Sequence, residues 1–410
     1  MNTKQLLKDV LGLQYDWRIG RIEKDDAQRT VTVEIRYRKN MRLYCPLCQK
    51  RATGIHDHHE RTWRHKDLGD YQTILRASVP RVKCKNCDSI NLIAVPWADK
   101  MMRITEPFQR QLVAGLIKMT VKDVCDTYDV TWYTVNKALS KTIADLREKK
   151  RHDQVTVIGI DEIALRKGHK YLTLIYDLTA GEVIWIGIDR TCETMKEFIV
   201  WFGEERLKAL DSICCDMWDP YLKAIKEYRG EAGIVFDKFH IKKHLNDAVN
   251  SVRKTEHREL NAEGVDVLTK TKYIWLKNPS NLTERQEITF QELRHQHLKV
   301  FKAYQLKELF NFFWRYRSRC WAERFFKSWY FSATHSRLRP MIKAAKMLKS
   351  YWYGVISYIT TPLTNARSEG LNCKIRVFTR RAYGYKTVQM LTNMIFLGCG
   401  GLNLPPLKSK

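Results

Sequence analysis

Two periodicities organise this chain. Short apolar runs rich in β-branched residues and bounded by polar turns read as strands, whereas apolar positions recurring every three or four residues read as helices. Thr30–Tyr37 alternates like a half-buried strand, and Tyr71–Val82 is strand-like over a longer stretch. Val155, Val157, Ile158 and Ile160 form an apolar run that stops abruptly at Asp161 and Glu162. A basic turn (Arg166, Lys167, His169, Lys170) leads into a second run, Tyr171–Leu178, and a Thr-Ala-Gly-Glu turn at 179–182 leads into a third, Val183–Ile188. Three runs joined this tightly predict an antiparallel meander. Helix Glu193–Leu210, strand Ser212–Cys215, helix Pro220–Tyr228 and strand Gly233–Phe236 are expected next, with Asp216 and Asp237 directly after the two strands. Helices are also expected over Thr3–Leu13, Glu106–Lys118, Val121–Tyr128 and Trp132–Arg147, and through most of 241–350.

A meander followed by strands alternating with helices predicts a mixed sheet of the ribonuclease H-like type, within a multidomain α+β chain. Crossover connections set the fourth strand beside the first, so Asp161 and Asp216 are expected at adjacent strand ends on one edge of the sheet. A carboxylate at the end of a buried strand is costly unless it is paired or holds a metal. Two of them at one edge can hold divalent cations for in-line attack at phosphorus. The third ligand is expected on a later helix. In LTNARSEGLNCKIRVFTRR, Leu363–Arg381, Glu369 is the only acid among six basic residues between Arg367 and Lys386. If Ser368 onward is helical, Cys373, Arg376 and Arg380 fall near the face of Glu369, at steps of four, seven and eleven. A lone acid on a basic helix would weaken phosphate binding; a metal ligand facing a scissile phosphate would not.

Composition narrows the partner. The 410 residues carry a formal net charge of +27, spread along the whole chain. That points to a polyanion, and nucleic acid above all, because neutralising phosphates releases counterions. No apolar run is long enough to span a membrane. Met1–Trp17 carries polar residues throughout and no signal-peptide cleavage site, and isolated apolar-flanked cysteines (Cys125, Cys192, Cys399) read as reduced core thiols; a cytoplasmic, nucleoid-associated protein is expected. Cys45-Pro-Leu-Cys48 and Cys84-Lys-Asn-Cys87 form two CxxC knuckles, which is what a four-thiolate structural zinc site requires. His56, His58, His59 and His65 lie between the knuckles and read as surface residues, with metal ligation the alternative. Val121–Tyr128, a turn at Asp129-Val130-Thr131 and a helix capped by Thr131 look like a helix-turn-helix. Trp132, Tyr133, Asn136 and Lys137 on its last helix are the candidates for the major groove. Arg147–Arg151 reads as a charged linker. The aromatics of 241–350 (Trp275, Trp314, Tyr316, Trp321, Phe325, Phe326, Trp329) read as core, with base stacking the functional alternative.

At this point the chain resembles the DDE transposases of bacterial insertion sequences, specifically the zinc-ribbon-bearing ISL-three group. GIDE at 159–162, CDMWDPY at 215–221, FDKFH at 236–240, NARSEGLNCKIR at 365–376 and RRAYGY at 380–385 carry the resemblance. It implies five segments: an N-terminal region with a zinc ribbon (1–100), a helix-turn-helix domain (101–150), the first part of the catalytic domain (151–245), a helical insertion (246–350) and the last catalytic helix with its tail (351–410). It also implies metal-dependent DNA strand cleavage and transfer at terminal inverted repeats. The family triad maps onto Asp161, Asp216 and Glu369. Two magnesium or manganese ions are expected, with Asp161 bridging both, Asp216 on one and Glu369 on the other. Asp237 and His240 match a supporting site, with His240 positioned to orient phosphate or move a proton. Lys374, Arg376, Arg380, Arg381 and Lys386 are expected on the DNA backbone beside the cut. Joining two ends requires at least a homodimer on double-stranded DNA. Two rivals stand beside this reading: a sequence-specific DNA-binding regulator, and a structure-specific nuclease on the same fold.

Overall fold

A computed structural model describes residues 3–11, 13, 16–166, 170–363 and 366–404. The predicted turn residues Lys167 and His169, and Asn365 of the glutamate-bearing motif, lie outside the described residues. Two compact units are present: Met1–Lys150 with Thr379–Gly398 and Leu402–Lys410, and Arg151–Phe378 with Cys399–Gly401.

The first unit opens with helix α1 (Thr3–Val10) and strands β1 (Trp17–Asp25), β2 (Thr30–Tyr37), β3 (Gly54–Arg64), β4 (Gln72–Cys84) and β5 (Ser89–Leu92). The strands pair in the order β1-β2-β4-β3, with β5 on β4; β2 and β4 run parallel and the other neighbours antiparallel. Alternation turns Val33, Ile35, Leu75, Ala77 and Val79 inward, where they pack with Trp17, Trp63 and Trp97. The three indoles meet edge to face, the centroids of Trp97 lying 4.8 Å from Trp17 and 5.4 Å from Trp63. β1, β3 and β5 are not legible as strands in the sequence. β3 reads GIHDHHERTWR and buries only Trp63, so it is an edge strand held by its ladder to β4 and not by apolar alternation.

Three helices follow: α2 (Glu106–Lys118), α3 (Val121–Tyr128) and α4 (Trp132–Lys149). A capping box between Thr120 and Asp123 starts α3, and Asp129 ends it in the left-handed conformation (φ 48°). Thr131 Oγ1 then accepts from the Thr134 amide at 3.2 Å and starts α4. Helix α4 continues into the segment read as a linker, because the Arg147 guanidinium packs 4.0 Å over the Phe396 ring instead of facing water.

The second unit contains strands β6 (Val157–Arg166), β7 (Lys170–Asp177) and β8 (Glu182–Ile188), then helices α5 (Cys192–Phe202) and α6 (Glu204–Ala209) and strand β9 (Ser212–Cys215). The single helix expected over 193–210 is broken at Gly203, whose φ of 97° is open to glycine but costly for other residues. Helix α7 (Asp219–Arg229) leads to β10 (Ile234–Phe236). The sheet order is β10-β9-β6-β7-β8: the first three strands are parallel and β6-β7-β8 form the antiparallel meander.

From β10 the chain enters a long helical run: α8 (Lys238–Ala262), α9 (Lys272–Leu276), α10 (Glu284–Arg294), α11 (Lys299–Asn311), α12 (Arg319–Thr334), α13 (Arg339–Ser350), α14 (Trp352–Thr360) and α15 (Ala366–Arg381); α16 (Val388–Cys399) is the last element. One continuous core joins Ile158, Ile160, Ile213 and Phe236 of the sheet to Trp275, Phe310, Trp314, Phe326 and Trp329 of the helices. Those aromatics are therefore core, with Tyr316 and Phe325 packed at its margin and Trp321 exposed. Buried Glu256 is satisfied as a cap: its carboxylate accepts the amides of Lys299 and Val300 (2.5 and 2.7 Å) at the start of α11. No described helix is long and apolar enough to cross a membrane.

Candidate active site

Asp161 is the fifth of the ten residues of β6 and not its end, as the stop of the apolar run suggested, because the ladder to β7 carries the strand on to Arg166; Asp216 is the first residue after β9. The parallel register pairs Val157 with Ser212, Ile158 with Ile213 and Gly159 with Cys214. Continued by two residues, the same register sets Asp161 beside Asp216. Burial is the main force on the Asp161 carboxyl and pushes its pKa up to about 6; the Glu162 amide opposes this, the nearby Asp216 charge adds to it, and His240 and Arg376 oppose it. Glu162 responds in the same way, raised to about 6 first by burial and then by Asp161 and Asp216. Three acids therefore share one partly dry strand edge. The sequence pattern marks Glu162 but assigns it no role; its hydrogen bond to Tyr221 and the nearby Arg190 charge hold it to the fold.

His240 sits in the first turn of α8 and its Nδ1 donates to Asp216 Oδ2 at 2.8 Å. Burial alone would lower its pKa, but Asp216, Asp237 and Asp161 outweigh that and raise it. Asp237 starts the same helix, its Oδ1 accepting the Phe239 amide at 3.1 Å. The other carboxylate oxygen of Asp216, Oδ1, is buried without a hydrogen-bond partner among the described residues. An orphaned carboxylate oxygen is costly, and a hard cation is the kind of partner that relieves it.

Glu369 lies exposed in the first turn of α15. The buried stripe of this helix is Ser368, Asn372 and Ile375. Asn372 Nδ2 donates to Asp161 Oδ2 at 2.7 Å, and Tyr176 donates its hydroxyl to Asn372 Oδ1 at 2.5 Å. Glu369 is one turn before Asn372 and Arg376 one turn after it, so the three share a helix face. That face meets Asp161 through Asn372, the residue that sequence reasoning missed. The steps of four, seven and eleven from Glu369 pass over Asn372, which is at step three. No apolar pattern marked it, because the buried stripe of this helix is itself mostly polar. Among the described residues, the carboxylates Asp161, Asp216 and Glu369 do not gather within 4.8 Å of one another, as the four cysteines do. Lys374 and Arg376 are exposed on α15.

In the first unit, the sulfurs of Cys45, Cys48, Cys84 and Cys87 lie within 4.8 Å of one another. Cys45–Cys87 and Cys48–Cys84 are separated by 4.0 and 3.6 Å. Zinc–sulfur bonds near 2.3 Å place tetrahedral ligands about 3.8 Å apart, so the quartet fits one zinc ion. The first knuckle is held by the Cys45 amide on the Lys50 carbonyl and the Gln49 amide on the Cys45 carbonyl (both 2.9 Å). The intervening histidines are used elsewhere, and His65, expected at the surface, is buried against Thr105. His58 meets the Tyr37 hydroxyl at 2.8 Å, His56 pairs with Asp57 at 3.2 Å, and His65 meets Thr105 at 2.7 Å. Burial drives the His65 pKa down to about 4. His59 faces outward on β3 and joins no metal cluster among the described residues.

Of the candidate DNA contacts in this unit, Tyr133 is exposed and Trp132 and Asn136 are half-buried. The Lys386 ammonium lies 5.1 Å over the Trp132 ring, and Lys137 donates to the Met101 carbonyl at 2.6 Å. Arg380 is exposed. Arg381 is engaged within the fold: it donates to the Lys118 carbonyl at 3.1 Å and the Ile117 carbonyl at 3.5 Å at the end of α2.

Comparison with known proteins supplies an independent line. Residues 158–395 match a family model of the ISL3 group described as transposase. Residues 44–87 match one described as the zinc-finger of transposase IS204/IS1001/IS1096/IS1165. The chain is 27% identical over 393 residues to the transposase for insertion sequence element IS1001 of Bordetella parapertussis, covering 94% of this chain and 96% of the relative. It is 25% identical over 435 residues to the transposase for insertion sequence element IS1557 of Mycobacterium tuberculosis, covering 98% and 96%.

Proposed function

This chain belongs to the ISL3 family of insertion-sequence transposases, and on that premise we propose that it binds the terminal inverted repeats of its element and catalyses DNA strand cleavage and strand transfer. The catalytic carboxylates in this reading are Asp161 and Asp216 of a ribonuclease H-like sheet and Glu369 of α15. One observation carries it: Asp161 within β6 and Asp216 just after β9 fall side by side when the parallel β6-β9 register is continued by two residues, and α15 is bonded to Asp161 through Asn372. Magnesium or manganese suits these residues, since the donors are hard oxygens and Asp216 keeps one buried oxygen unpartnered among the described residues. Bound there, such ions supply positive charge to the phosphate and lower the pKa of the attacking water or 3′-hydroxyl.

The protein's own groups do the rest. Asp161 is held at both oxygens, by the Glu162 amide at 2.8 Å and by Asn372, so its orientation is set before substrate arrives. His240, kept protonated longer by the acids around it, offers a proton or a positive charge beside Asp216. Arg376 and Lys374, exposed on the helix that carries Glu369, suit the phosphates flanking the cut. In the first unit, a zinc held by the four cysteines folds a small basic module, while α2, α3 and α4 act as a helix-turn-helix with Tyr133 exposed on the recognition helix. Trp132, Asn136, Lys137, Arg380 and Lys386 are its further DNA candidates; Arg381 serves α2 at the same time. Synapsis of two ends makes the active species a dimer or larger.

The test is incubation with a labelled duplex carrying the element's end, with Mg²⁺, with Mn²⁺ and with no added divalent cation, beside Asp161→Ala. Metal-dependent nicking at the element boundary that the variant loses is expected. Specific binding without cutting under any metal would replace this reading with a DNA-binding regulator.

A further inference from the structure

The contact between α15 and β6 contains more than a helix docking on a sheet. A carboxylate only accepts hydrogen bonds and an amide nitrogen only donates, so the Asn372 NH₂ group must face Asp161. Its carbonyl then faces the Tyr176 hydroxyl, which has a single proton to give. Tyr176 is fully buried in β7 and Asn372 nearly so. The relay therefore has one stable arrangement, and it begins and ends within the fold. With the Glu162 amide on the opposite oxygen, Asp161 is clamped on both sides and cannot rotate freely about its carboxylate axis.

We propose that Asn372 is a positioning residue for metal-dependent strand cleavage, fixing the Asp161 carboxylate for the divalent cations while Tyr176 fixes Asn372. This rests on the catalytic reading given above. The same bond sets the approach of α15, and Glu369 lies one turn before Asn372 on the same face, so one contact aligns two carboxylates supplied by elements some two hundred residues apart in sequence. Side chains that orient metal ligands from behind typically contribute 10–100-fold to metal affinity.

The experiment measures Mn²⁺ binding to the zinc-loaded full chain by loss of the free-ion electron paramagnetic resonance signal. It compares wild type, Asp161→Ala, Asn372→Ala, Tyr176→Phe and the last two combined. Asn372→Ala is expected to weaken Mn²⁺ binding roughly 10–100-fold. Tyr176→Phe, which removes one neutral hydrogen bond and keeps the ring, is expected to weaken it roughly 2–10-fold. Since Tyr176 acts through Asn372, adding Tyr176→Phe to Asn372→Ala should cause no further loss, which a purely structural role would not predict. Binding of the element-end duplex is retained throughout, and Tyr176→Phe, being isosteric, carries the test if Asn372→Ala does not fold. Wild-type Mn²⁺ affinity in both single variants, with Asp161→Ala impaired, overturns the positioning role alone; additive losses in the double variant overturn it too. Unchanged Mn²⁺ binding in Asp161→Ala overturns the catalytic reading beneath it.

Discussion

The raised pKa of Asp161 makes the site a stability defect that a cation should repair, and the size of the defect can be worked out. Its carboxyl titrates near 3.8 when unperturbed and near 6 in the fold, chiefly because burial disfavours the charged form. The folded state therefore holds its proton to higher pH than the unfolded chain does. Stability is undiminished below the lower value and is lost as pH rises through the upper one. A rise of that size corresponds to about 3 kcal/mol at most, of which about 1.4 kcal/mol falls between about pH 5 and about pH 7.5. Coupling to Glu162 and Asp216 spreads part of this over the cluster. Replacing Asp161 by Asn removes the titration, so the urea midpoints of wild type and variant should diverge with pH. The variant gains about 1 kcal/mol relative to wild type between about pH 5 and about pH 7.5, whatever constant offset its altered hydrogen bonds introduce. Adding Mg²⁺ to about ten times its dissociation constant at the higher pH should return about 1.4 kcal/mol to wild type and nothing to the variant. Parallel pH profiles for the two proteins, or equal Mg²⁺ stabilisation, would refute the reasoning.

Other perturbations separate the parts of the molecule. Glu369→Gln should leave binding to the element end within about twofold while abolishing strand cleavage, read on the same labelled duplex, because an exposed side chain contributes little to folding. Cys84→Ser removes one thiolate from the quartet, so bound zinc measured by elemental analysis should fall well below one per chain, with the N-terminal sheet losing protease resistance. Gly354→Ala places a methyl group against the buried ring of Phe236 on β10. Overpacking of about 1–3 kcal/mol should exceed the roughly 1 kcal/mol gained in helix propensity and lower the denaturation midpoint.

Much of this protein was legible in its sequence, for identifiable reasons. The meander and the strand ending before Asp216 follow from short β-branched runs broken by turn residues. Helices α2, α3 and α4 follow from periodicity, and the start of α4 from Thr131, whose side chain caps what the backbone leaves open; the capping box at Thr120 was seen only in the structure. The cysteine knuckles follow from ligand spacing, because four thiolates around one ion need little else from the fold. Tertiary structure decided what local pattern could not encode. β3 is a strand because β4 offers it a ladder, although its own side chains are mostly polar. Arg147 is packed on an aromatic ring instead of belonging to a solvated linker. Above all, Asn372 gained its place from two bonds to β6 and β7. A helix carries its own hydrogen bonds, so its sequence predicts that it forms; which of its residues meets a carboxylate depends on how it docks, and docking is a property of the whole fold.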